Sequence, residues 1–336
     1  MEGKDITFHK ILKEFKKPVL VDNRNWRKKV PIVNKYFSLI EEEISKFPKE
    51  KGVIVDPSIV KNVNCAVCNE VNFRQMFIKK GFYYACCRSC GHIYVKNPLK
   101  ETTILQLYQY SDTDNVYIEV QENEIVSNYQ KEQARKYIAL LEMIGVKYGN
   151  LLDIGCGGGN FLKCSKKHSS FNLYGIEINK KVYARLKDLL GGENIYCDKI
   201  ENIDFGNLRF NVVVLWGVLE HLTNPFSVLY HARKYLEDDG YMVACIPNIF
   251  SRAFKILGIN TPALNPKSHL QMYTKNSFGK ICERAGLEIV DLFCELPVID
   301  LMYDHIEYNS ELINDIIDKE ESYYFVYLIK KNKHIR

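Results

Sequence analysis

The stretch "LLDIGCGGGN", Leu151–Asn160, decides the fold because it joins an apolar run to a loop that is almost stripped of side chains. Asp153 precedes four glycines, which fill four of the five positions from Gly155 to Gly159. In an open α/β sheet, the turn from the first strand to the next helix lets a ligand approach the backbone closely. The stretch therefore predicts a strand, a ligand-binding turn and a helix, in that order.

The glycine spacing argues against a nicotinamide enzyme. The dinucleotide fingerprint G-x-G-x-x-G would place its last glycine at position 160, where Asn160 stands instead. What the sequence contains is D-x-G-x-G-x-G, from Asp153 to Gly159. The fingerprint of a dinucleotide site is thus incomplete.

Downstream of about Ser127, apolar strand-like runs alternate with helical or polar segments. "NYQKEQARKYIALLEMIG" predicts an amphipathic helix that ends at Gly145. The strand-like runs that follow it are "NLLDIG", "NLYGIEI", "ENIYC", "FNVVVLWG" and "GYMVACIPN". This βαβα order predicts a parallel sheet with helices on both faces. "LEIVDLF" and "SYYFVYLIKK" predict a final hairpin-like pair whose last strand is antiparallel.

Together these motifs resemble the class I S-adenosylmethionine-dependent methyltransferases, whose first motif reads D-x-G-x-G-x-G. "GIEIN" matches the end of the second strand, "IYCDKIENIDF" the segment after the third, and "FNVVVLWGVLEHLTNP" the fourth strand with its helix. The resemblance covers about residues 128–331 and implies an α/β fold, a Rossmann-like seven-stranded sheet that is mostly parallel with its last strand antiparallel. Asn211 departs from the aspartate common in the family, and we expect a local structural effect only.

The resemblance implies S-adenosylmethionine as the cofactor, with contacts at successive strand ends. Glu177 would accept both ribose hydroxyls, and Asp198 would contact the adenine amino group. The methionine carboxylate would lie at the helix N-terminus after Gly159, where free N–H groups and the helix dipole favour an anion. The expected cofactor residues are Asp153, Gly155, Cys156, Gly157, Gly159, Glu177, Ile178, Asp198, Lys199 and Trp216.

The methyl acceptor needs a base if its reacting atom is a hydroxyl or a carbon acid. "GVLEHL" places Glu220 and His221 after the fourth strand, where they would face the methyl group. His221 is the candidate base, since imidazole needs little pKa shift to act near neutrality. Alternatively His221 positions or packs the site, because Glu-His recurs here in family members with different acceptors. Residues 249–275 are expected to form a lid, and the acceptor-site candidates are His269, Tyr273 and Asn248.

Four cysteines upstream of this region predict a zinc ribbon. Two C-x-x-C pairs, each able to wrap one edge of a metal ion through a tight turn, are separated by the 18 residues 69–86. The expected zinc ligands are Cys65, Cys68, Cys87 and Cys90, whereas Cys86 and His92 are expected to lie outside the shell. Because four thiolates leave no position open for water, the zinc is predicted to be structural.

A ribbon followed by this core resembles bacterial methyltransferases with an N-terminal zinc-binding segment, many of which modify sugars, nucleotide-linked sugars or other small metabolites. Some sugar C-methyltransferases of this kind carry a long C-terminal domain, whereas this chain ends soon after its last strand. We therefore expect transfer to a hydroxyl or amine of a small polar acceptor. An RNA methyltransferase acting on ribosomal or transfer RNA is an alternative, with the ribbon and "NRNWRKKVP" (23–31) holding phosphates. So is a binding protein without activity.

Composition limits the partners and the compartment. Of the 336 residues 46% are apolar, enough for a sizeable core. We expect no membrane span, since there is no run of about 18 uncharged apolar residues, and a charged N-terminus favours the cytoplasm. A net charge of +5 is only mildly basic and does not favour nucleic acid. Eleven cysteines in such a protein indicate reduced thiols or a metal site.

These patterns predict three parts. Residues 1–60 form a helical or extended segment, in which "NKYFSLIEEEISKF" reads as a helix that docks on the next domain. Residues 61–126 form the ribbon and a linker, and residues 127–336 form the methyltransferase domain with its lid. A homodimer is left open.

Overall fold

The computed structural model describes residues 2–20, 30–110, 112–190, 192, 194–296 and 309–333. The basic residues 23–29 of "NRNWRKKVP" therefore lie outside the described residues. Within the described part, none of the helices has the length and apolar character that crossing a bilayer requires.

Seven strands form one large sheet, as the sequence predicts. They are β4 Tyr148–Ile154, β5 Ser170–Ile176, β6 Ile195–Tyr196, β7 Phe210–Trp216, β8 Leu236–Pro247, β10 Leu287–Glu295 and β11 Tyr324–Lys331. Their order across the sheet is β10-β11-β8-β7-β4-β5-β6. The five strands from β8 to β6 are parallel, whereas β11 runs antiparallel to both β8 and β10. The predicted fold class and the antiparallel last strand are confirmed.

The described helices lie before the sheet, between its strands and before β11. They are α1 Glu2–Glu14, α2 Pro31–Ser45, α3 Glu101–Tyr110, α4 Thr113–Glu122, α5 Glu124–Met143, α6 Asn160–His168, α7 Lys180–Leu190, α8 Pro225–Tyr235, α9 Arg252–Leu257, α10 Lys275–Arg284 and α11 Ser310–Asp318. The amphipathic helix expected from Asn128 is α5, which begins four residues earlier because Asn123 caps it: the Asn123 side chain accepts a hydrogen bond from the Ile125 N–H.

The central strands are apolar throughout because both faces of the sheet are covered. Leu152 and Val213 belong to a hydrophobic cluster on one face, and their neighbours Leu151 and Val214 belong to a second cluster. All four side chains are fully buried. Since successive strand residues point to opposite faces, a continuous apolar run is what a doubly covered parallel strand requires.

Asn211 has the local structural effect expected of it. Its Oδ1 accepts a hydrogen bond from the Asn150 N–H at 2.9 Å and so ties the start of β7 to β4. Gly149 adopts a φ of +115°, and a β-carbon there would overlap the Asn211 amide. Asn211 thus acts at the N-terminal ends of β4 and β7, whereas the glycine loop follows the C-terminal end of β4.

A second, four-stranded sheet contains the cysteine segment. The strands β1 Phe73–Lys79, β2 Phe82–Cys87 and β3 Ile93–Val95 form an antiparallel meander. Its fourth strand, β9 Gln271–Met272, comes from the predicted lid and pairs with β3. The ribbon and the lid, which are far apart in the sequence, therefore share one sheet.

The helix predicted from "NKYFSLIEEEISKF" is α2, and it docks as expected. Ile40 and Ile44 on its buried face belong to the same hydrophobic cluster as Phe82 and Tyr84 of the ribbon. Near its N-terminus, Val33 joins a smaller cluster with residues of α4 and α5. The helix thus bridges the ribbon and the helices that precede β4.

Candidate active site

The glycine loop needs glycine at most of its positions for reasons of backbone shape. Gly155, Gly157 and Gly159 have φ values of +68°, +50° and +70°, in the left-handed region that L side chains rarely adopt. A β-carbon on Gly159 would overlap Leu186, and one on Gly155 would lie 2.8 Å from Val218 Cγ2. The loop therefore turns sharply from β4 into α6 and presents bare backbone.

This loop lines a cavity of about 440 Å³. The cavity also touches the C-terminal ends of β7 and β8, the helices α2, α4 and α5, and the predicted lid. Of the predicted site residues it brings together Asp153, Gly155, Cys156, Gly157, Trp216, Glu220, His221 and His269. Its position beyond the carboxyl ends of parallel strands is where open α/β sheets bind ligands.

Two carboxylates support the loop. Asp153 is 2% exposed, and its Oδ1 has no hydrogen-bond partner among the described residues. Burial, with the charge of Glu177 nearby, raises the pKa of Asp153 well above its usual range. Glu177 accepts hydrogen bonds from the Gly157 N–H at 2.9 Å and the Asn179 N–H at 2.7 Å. Asp153 thus carries an unsatisfied buried acceptor at the cavity, which calls for a donor.

Trp216 and Cys156 form apolar parts of the wall. The Trp216 ring lies 5.4 Å from the ring of Tyr137 and 6.0 Å from that of Phe161, between centroids. Cys156 is buried beneath the loop, as its sequence position indicates, and burial raises the pKa of its thiol well above the usual range. A thiol that stays protonated is a poor nucleophile, so Cys156 serves as a small packing residue.

Five predicted cofactor residues lie outside the cavity lining: Gly159 and Glu177, which belong to or hold the glycine loop, and Ile178, Asp198 and Lys199. Asp198 is exposed and accepts hydrogen bonds at 2.7 Å from the Lys199 N–H and the Asn202 side chain. These bonds lower the pKa of Asp198. Lys199 forms an exposed ion pair with Glu101 at 2.6 Å, and Ile178 is 58% exposed. Their roles remain predictions.

Glu220 and His221 occupy a short 3₁₀ helix, Leu219–His221, directly after β7. Glu220 is 2% exposed, its Oε2 has no hydrogen-bond partner among the described residues, and burial raises its pKa to about 8. The His221 side chain is 40% exposed, and its Nδ1 lies 3.0 Å from the carbonyl oxygen of Ser268. Partial burial and the neighbouring His269 lower the pKa of His221, so the ring is neutral at pH 7.

His269 from the lid completes this group. Its ring meets that of His221 edge to face, with 4.8 Å between centroids. Its Nδ1 lies 2.9 Å from the Ala263 carbonyl oxygen, and burial lowers its pKa to about 4. The lid therefore places a second neutral imidazole beside the candidate base.

Comparison with known proteins bears on this cavity directly. Residues 126–292 match the family model of a methyltransferase domain, and they include the glycine loop, both carboxylates and both histidines. The chain contains a methyltransferase domain. Because that domain carries the motifs of the S-adenosylmethionine-dependent class, the protein is an S-adenosylmethionine-dependent methyltransferase.

The curated relatives of this methyltransferase share the name ubiquinone biosynthesis O-methyltransferase. The one from Pseudomonas aeruginosa strain UCBPP-PA14 is 25% identical over 186 residues, which are 52% of this chain and 77% of the relative. One from Coxiella burnetii strain RSA 331 is 22% identical over 167 residues, 47% of this chain and 70% of the relative.

Solved structures of methyltransferases are similar at lower identity. The plantazolicin methyltransferase in complex with SAH is 14% identical, with a TM-score of 0.48, and the match covers 68% of this chain and 93% of that one. The magnesium protoporphyrin IX methyltransferase of Synechocystis PCC 6803 with bound SAH is 13% identical, with a TM-score of 0.48, covering 69% and 100%.

Two predicted acceptor residues of the methyltransferase lie away from the cavity. Tyr273 is 1% exposed, its ring lies 5.1 Å from that of His92 between centroids, and it does not line the cavity. Asn248 is 2% exposed and fixes the chain after β8: its side chain donates to the carbonyl oxygens of Glu320 and Ser322 at 3.1 and 3.0 Å. Tyr273 therefore packs the lid against the ribbon, and Asn248 fixes the end of β8.

The cavity wall of the methyltransferase contains aromatic and amide side chains beyond the predicted site residues. They are Tyr36, Phe37, Tyr117, Gln121, Tyr129, Gln130, Gln133, Tyr323 and Tyr324. Tyr36 of α2 and Tyr117 of α4 lie 5.8 Å apart between ring centroids. The sequence shows only that aromatic residues share a face of α2, and nothing local indicates that this face reaches a site built more than 100 residues later.

The cysteine cluster of the methyltransferase has the predicted members. The four Sγ atoms of Cys65, Cys68, Cys87 and Cys90 lie within 4.8 Å of one another, and three of the Sγ pairs are 3.5 Å apart. Backbone N–H groups of Val67 and Cys68 point at the Cys65 sulfur, those of Ser89 and Cys90 at the Cys87 sulfur. Cys86 lies outside the cluster, as expected.

A chain of hydrogen bonds links the cysteine segment to the active site. His92 is fully buried, with one ring nitrogen 3.2 Å from Ser277 Oγ and the other 2.8 Å from Gln271 Oε1. The Gln271 side chain in turn donates to the Leu222 carbonyl at 2.9 Å. Next to it, the Leu270 N–H donates to the Glu220 carbonyl at 2.6 Å. The ribbon thus holds the lid against the segment that carries the candidate base.

Proposed function

We propose that this methyltransferase transfers a methyl group from S-adenosylmethionine to a hydroxyl or amine of a small polar molecule, such as a sugar, a nucleotide-sugar or a related metabolite. The observation that carries the proposal is that one cavity is lined by the glycine loop with Asp153 and by the group Glu220, His221 and His269. A donor site and a group able to activate an acceptor therefore open into the same space.

The residues present fit the cofactor. The unsatisfied oxygen of Asp153 suits the α-ammonium group of the methionine moiety, because a buried carboxylate oxygen needs a donor. The N-terminus of α6 suits the carboxylate, and Glu177, held by two backbone N–H groups, suits the ribose hydroxyls. When bound, the cofactor supplies an electrophilic methyl group. Ile178, Asp198, Lys199 and Trp216 remain proposed contacts.

His221 is suited to take a proton from the acceptor. A carbonyl oxygen only accepts hydrogen bonds, so Nδ1 carries the hydrogen that it donates to Ser268, and Nε2 keeps its lone pair. A neutral imidazole with a free Nε2 can act as a base at neutral pH. Because the pKa of His221 is low, the ring is a weak base, and a second group would help to activate the acceptor.

The lining favours a small hydroxylated acceptor. Amide groups of Gln121, Gln130 and Gln133 can bond to hydroxyls, and tyrosine rings offer flat apolar surfaces beside them. The curated relatives are named O-methyltransferases, which supports oxygen as the acceptor atom.

We propose that the four cysteines hold a structural zinc ion. Thiolates around Zn²⁺ lie about 3.8 Å apart in a tetrahedron with Zn–S bonds of about 2.3 Å, close to the observed 3.5 Å. All four positions would be filled by sulfur, so the ion would have no open site for chemistry. None of the eleven cysteines, all of which are described, forms a disulfide.

Calorimetric titration of the full chain tests the cofactor assignment. We expect binding of S-adenosylmethionine and S-adenosylhomocysteine and none of NAD. Asp153→Asn should weaken binding at least tenfold, because the amide cannot offer a charged acceptor to the ammonium group. Asp239→Asn, which removes an exposed carboxylate on β8 that pairs with Lys333, should change nothing. Binding of NAD without S-adenosylmethionine would refute the proposal.

A further inference from the structure

We propose that Glu220, His221 and His269 bind a divalent first-row transition metal ion, in a second metal centre that is separate from the cysteine cluster and lies on the wall of the cavity. The use suggested for this ion rests on the proposed function of the cavity, whereas its binding does not. One ligand atom from each of the three side chains lies within 4.8 Å of the other two.

The distances suit an ion after small side-chain rotations. His221 Nε2 lies 3.9 Å from Glu220 Oε1, and the two imidazole centroids are 4.8 Å apart. Metal–ligand bonds of about 2.1 Å place neighbouring ligand atoms about 3.0–3.4 Å apart. The three side chains would close by about an ångström around the ion.

The hydrogen bonds of both histidines orient them as metal ligands. His221 Nδ1 donates to the Ser268 carbonyl, and His269 Nδ1 donates to the Ala263 carbonyl. A histidine that ligates a metal usually donates its other N–H to a carbonyl or carboxylate, which fixes the tautomer and the ring. In both rings the Nε2 lone pair is therefore the one left for an ion.

Glu220 supplies the independent indication that something is bound here. Glu220 is 2% exposed, and its Oε2 has no hydrogen-bond partner among the described residues. A buried carboxylate without a donor or a cation costs free energy, because desolvation is not compensated. A divalent ion between it and two imidazoles would remove that cost.

The ligand set selects the class of metal. Two imidazoles and one carboxylate suit Zn²⁺, Fe²⁺, Co²⁺ or Mn²⁺ and leave positions open to a further ligand. Since His221 is 40% exposed and lines the cavity, an acceptor oxygen could take such a position. A coordinated hydroxyl loses its proton to solvent more easily. In the overall reaction the acceptor loses that proton and gains the methyl group that the donor loses.

This assignment changes the role of His221. When its Nε2 binds an ion, His221 is no longer available as the base, because the same lone pair cannot also take a proton. In that case His221 supports activity by holding the ion and not by taking a proton. A chelator should then abolish activity, and adding the ion back should restore it.

A cobalt titration tests the site in the full chain after one equivalent of zinc per chain has been loaded, which the four thiolates of the cysteine cluster take up first. We expect calorimetry to show one further Co²⁺ per chain, with visible absorption bands and without the strong near-ultraviolet band of a cobalt thiolate. Glu220→Gln and His269→Ala should each weaken Co²⁺ binding at least tenfold. His231→Ala should leave it unchanged, although His231 Nδ1 also lies near a carbonyl, that of Ser227 at 2.8 Å.

S-adenosylhomocysteine binding, measured on the same samples, separates the outcomes. Variants that still bind it are folded, so their loss of Co²⁺ reports on the site, and His269→Gln replaces His269→Ala if the latter does not fold. No further Co²⁺ on the native chain, or equal affinity in the native chain and both ligand variants, would overturn the metal site. Co²⁺ binding without S-adenosylmethionine binding would overturn the proposed function only.

Discussion

At the scale of single residues, the same residue type serves different ends according to its surroundings. Asp153 lies near the C-terminal end of β4 and Asp198 just after β6, yet Asp153 is buried with an unsatisfied oxygen and Asp198 is exposed and bonded to its own loop. The four glycines of the loop also differ from one another, in backbone conformation. Three are in the left-handed region, whereas Gly158 is not.

The difference between neighbouring glycines gives a matched pair of variants. Gly159→Ala should destabilise the fold by about 1–2 kcal/mol from the left-handed backbone alone, and more from the overlap with Leu186. It should also abolish binding of S-adenosylhomocysteine. Gly158→Ala should be tolerated, because its β-carbon would meet only Gln121 Cβ at 3.6 Å. Urea unfolding and calorimetry measure both effects, and equal behaviour of the two variants would contradict this account of the loop.

At the scale of elements, the pairing of β3 with β9 was not predictable from the sequence. β9 is two residues long and pairs at Ile93–Met272 and Tyr94–Gln271, so its register depends on partners about 180 positions away. By contrast, β4, β7 and β8 carry continuous apolar runs that any doubly covered sheet requires, and these strands were predicted. The cysteine cluster between Cys65 and Cys90 could also be predicted, because the spacing of the two C-x-x-C pairs is a local feature of the sequence.

His92 holds the ribbon, β9 and α10 together, and its removal tests that junction. His92→Ala should lower the free energy of unfolding by about 2–4 kcal/mol, because Gln271 and Ser277 lose buried partners and a cavity remains. Urea denaturation of the zinc-loaded protein measures the loss. His168→Ala, at an exposed position on α6, should cost less than about 0.5 kcal/mol. A loss of similar size in both variants would show that the junction does not depend on His92.

At the scale of the whole molecule, the site is built from stretches of chain that are distant in sequence. The glycine loop and the fourth strand give one wall, and the predicted lid, residues 249–275, contributes Pro262, Asn265, Ser268 and His269. The tyrosines of α2, α4 and β11 could not be assigned to the site, because their place depends on how the N-terminal helices pack against the domain. We expect acceptor specificity to depend on this part of the site.

Loss of the proposed zinc should therefore reach the active site through the shared sheet. Cys87→Ser should lose about one zinc ion per chain, lower the melting temperature and make residues 249–275 more sensitive to limited proteolysis. Cys86→Ser is the control, since Cys86 is adjacent but outside the cluster. Zinc content by mass spectrometry and proteolysis of both variants check this. Unchanged zinc content in Cys87→Ser would be inconsistent with a four-cysteine centre.

The sharing of a sheet by ribbon and lid also bears on how reactants enter and leave. Leu270 bonds to β3 through its carbonyl, which accepts from the Val95 N–H at 2.9 Å, and to Glu220 through its N–H. A swing of this segment would break both contacts at once. The helices α2 and α4, which also line the cavity, meet in a small apolar cluster around Val33 and Val120. Release of product by movement of the lid would therefore depend on the ribbon, a part of the chain that lies outside the methyltransferase domain.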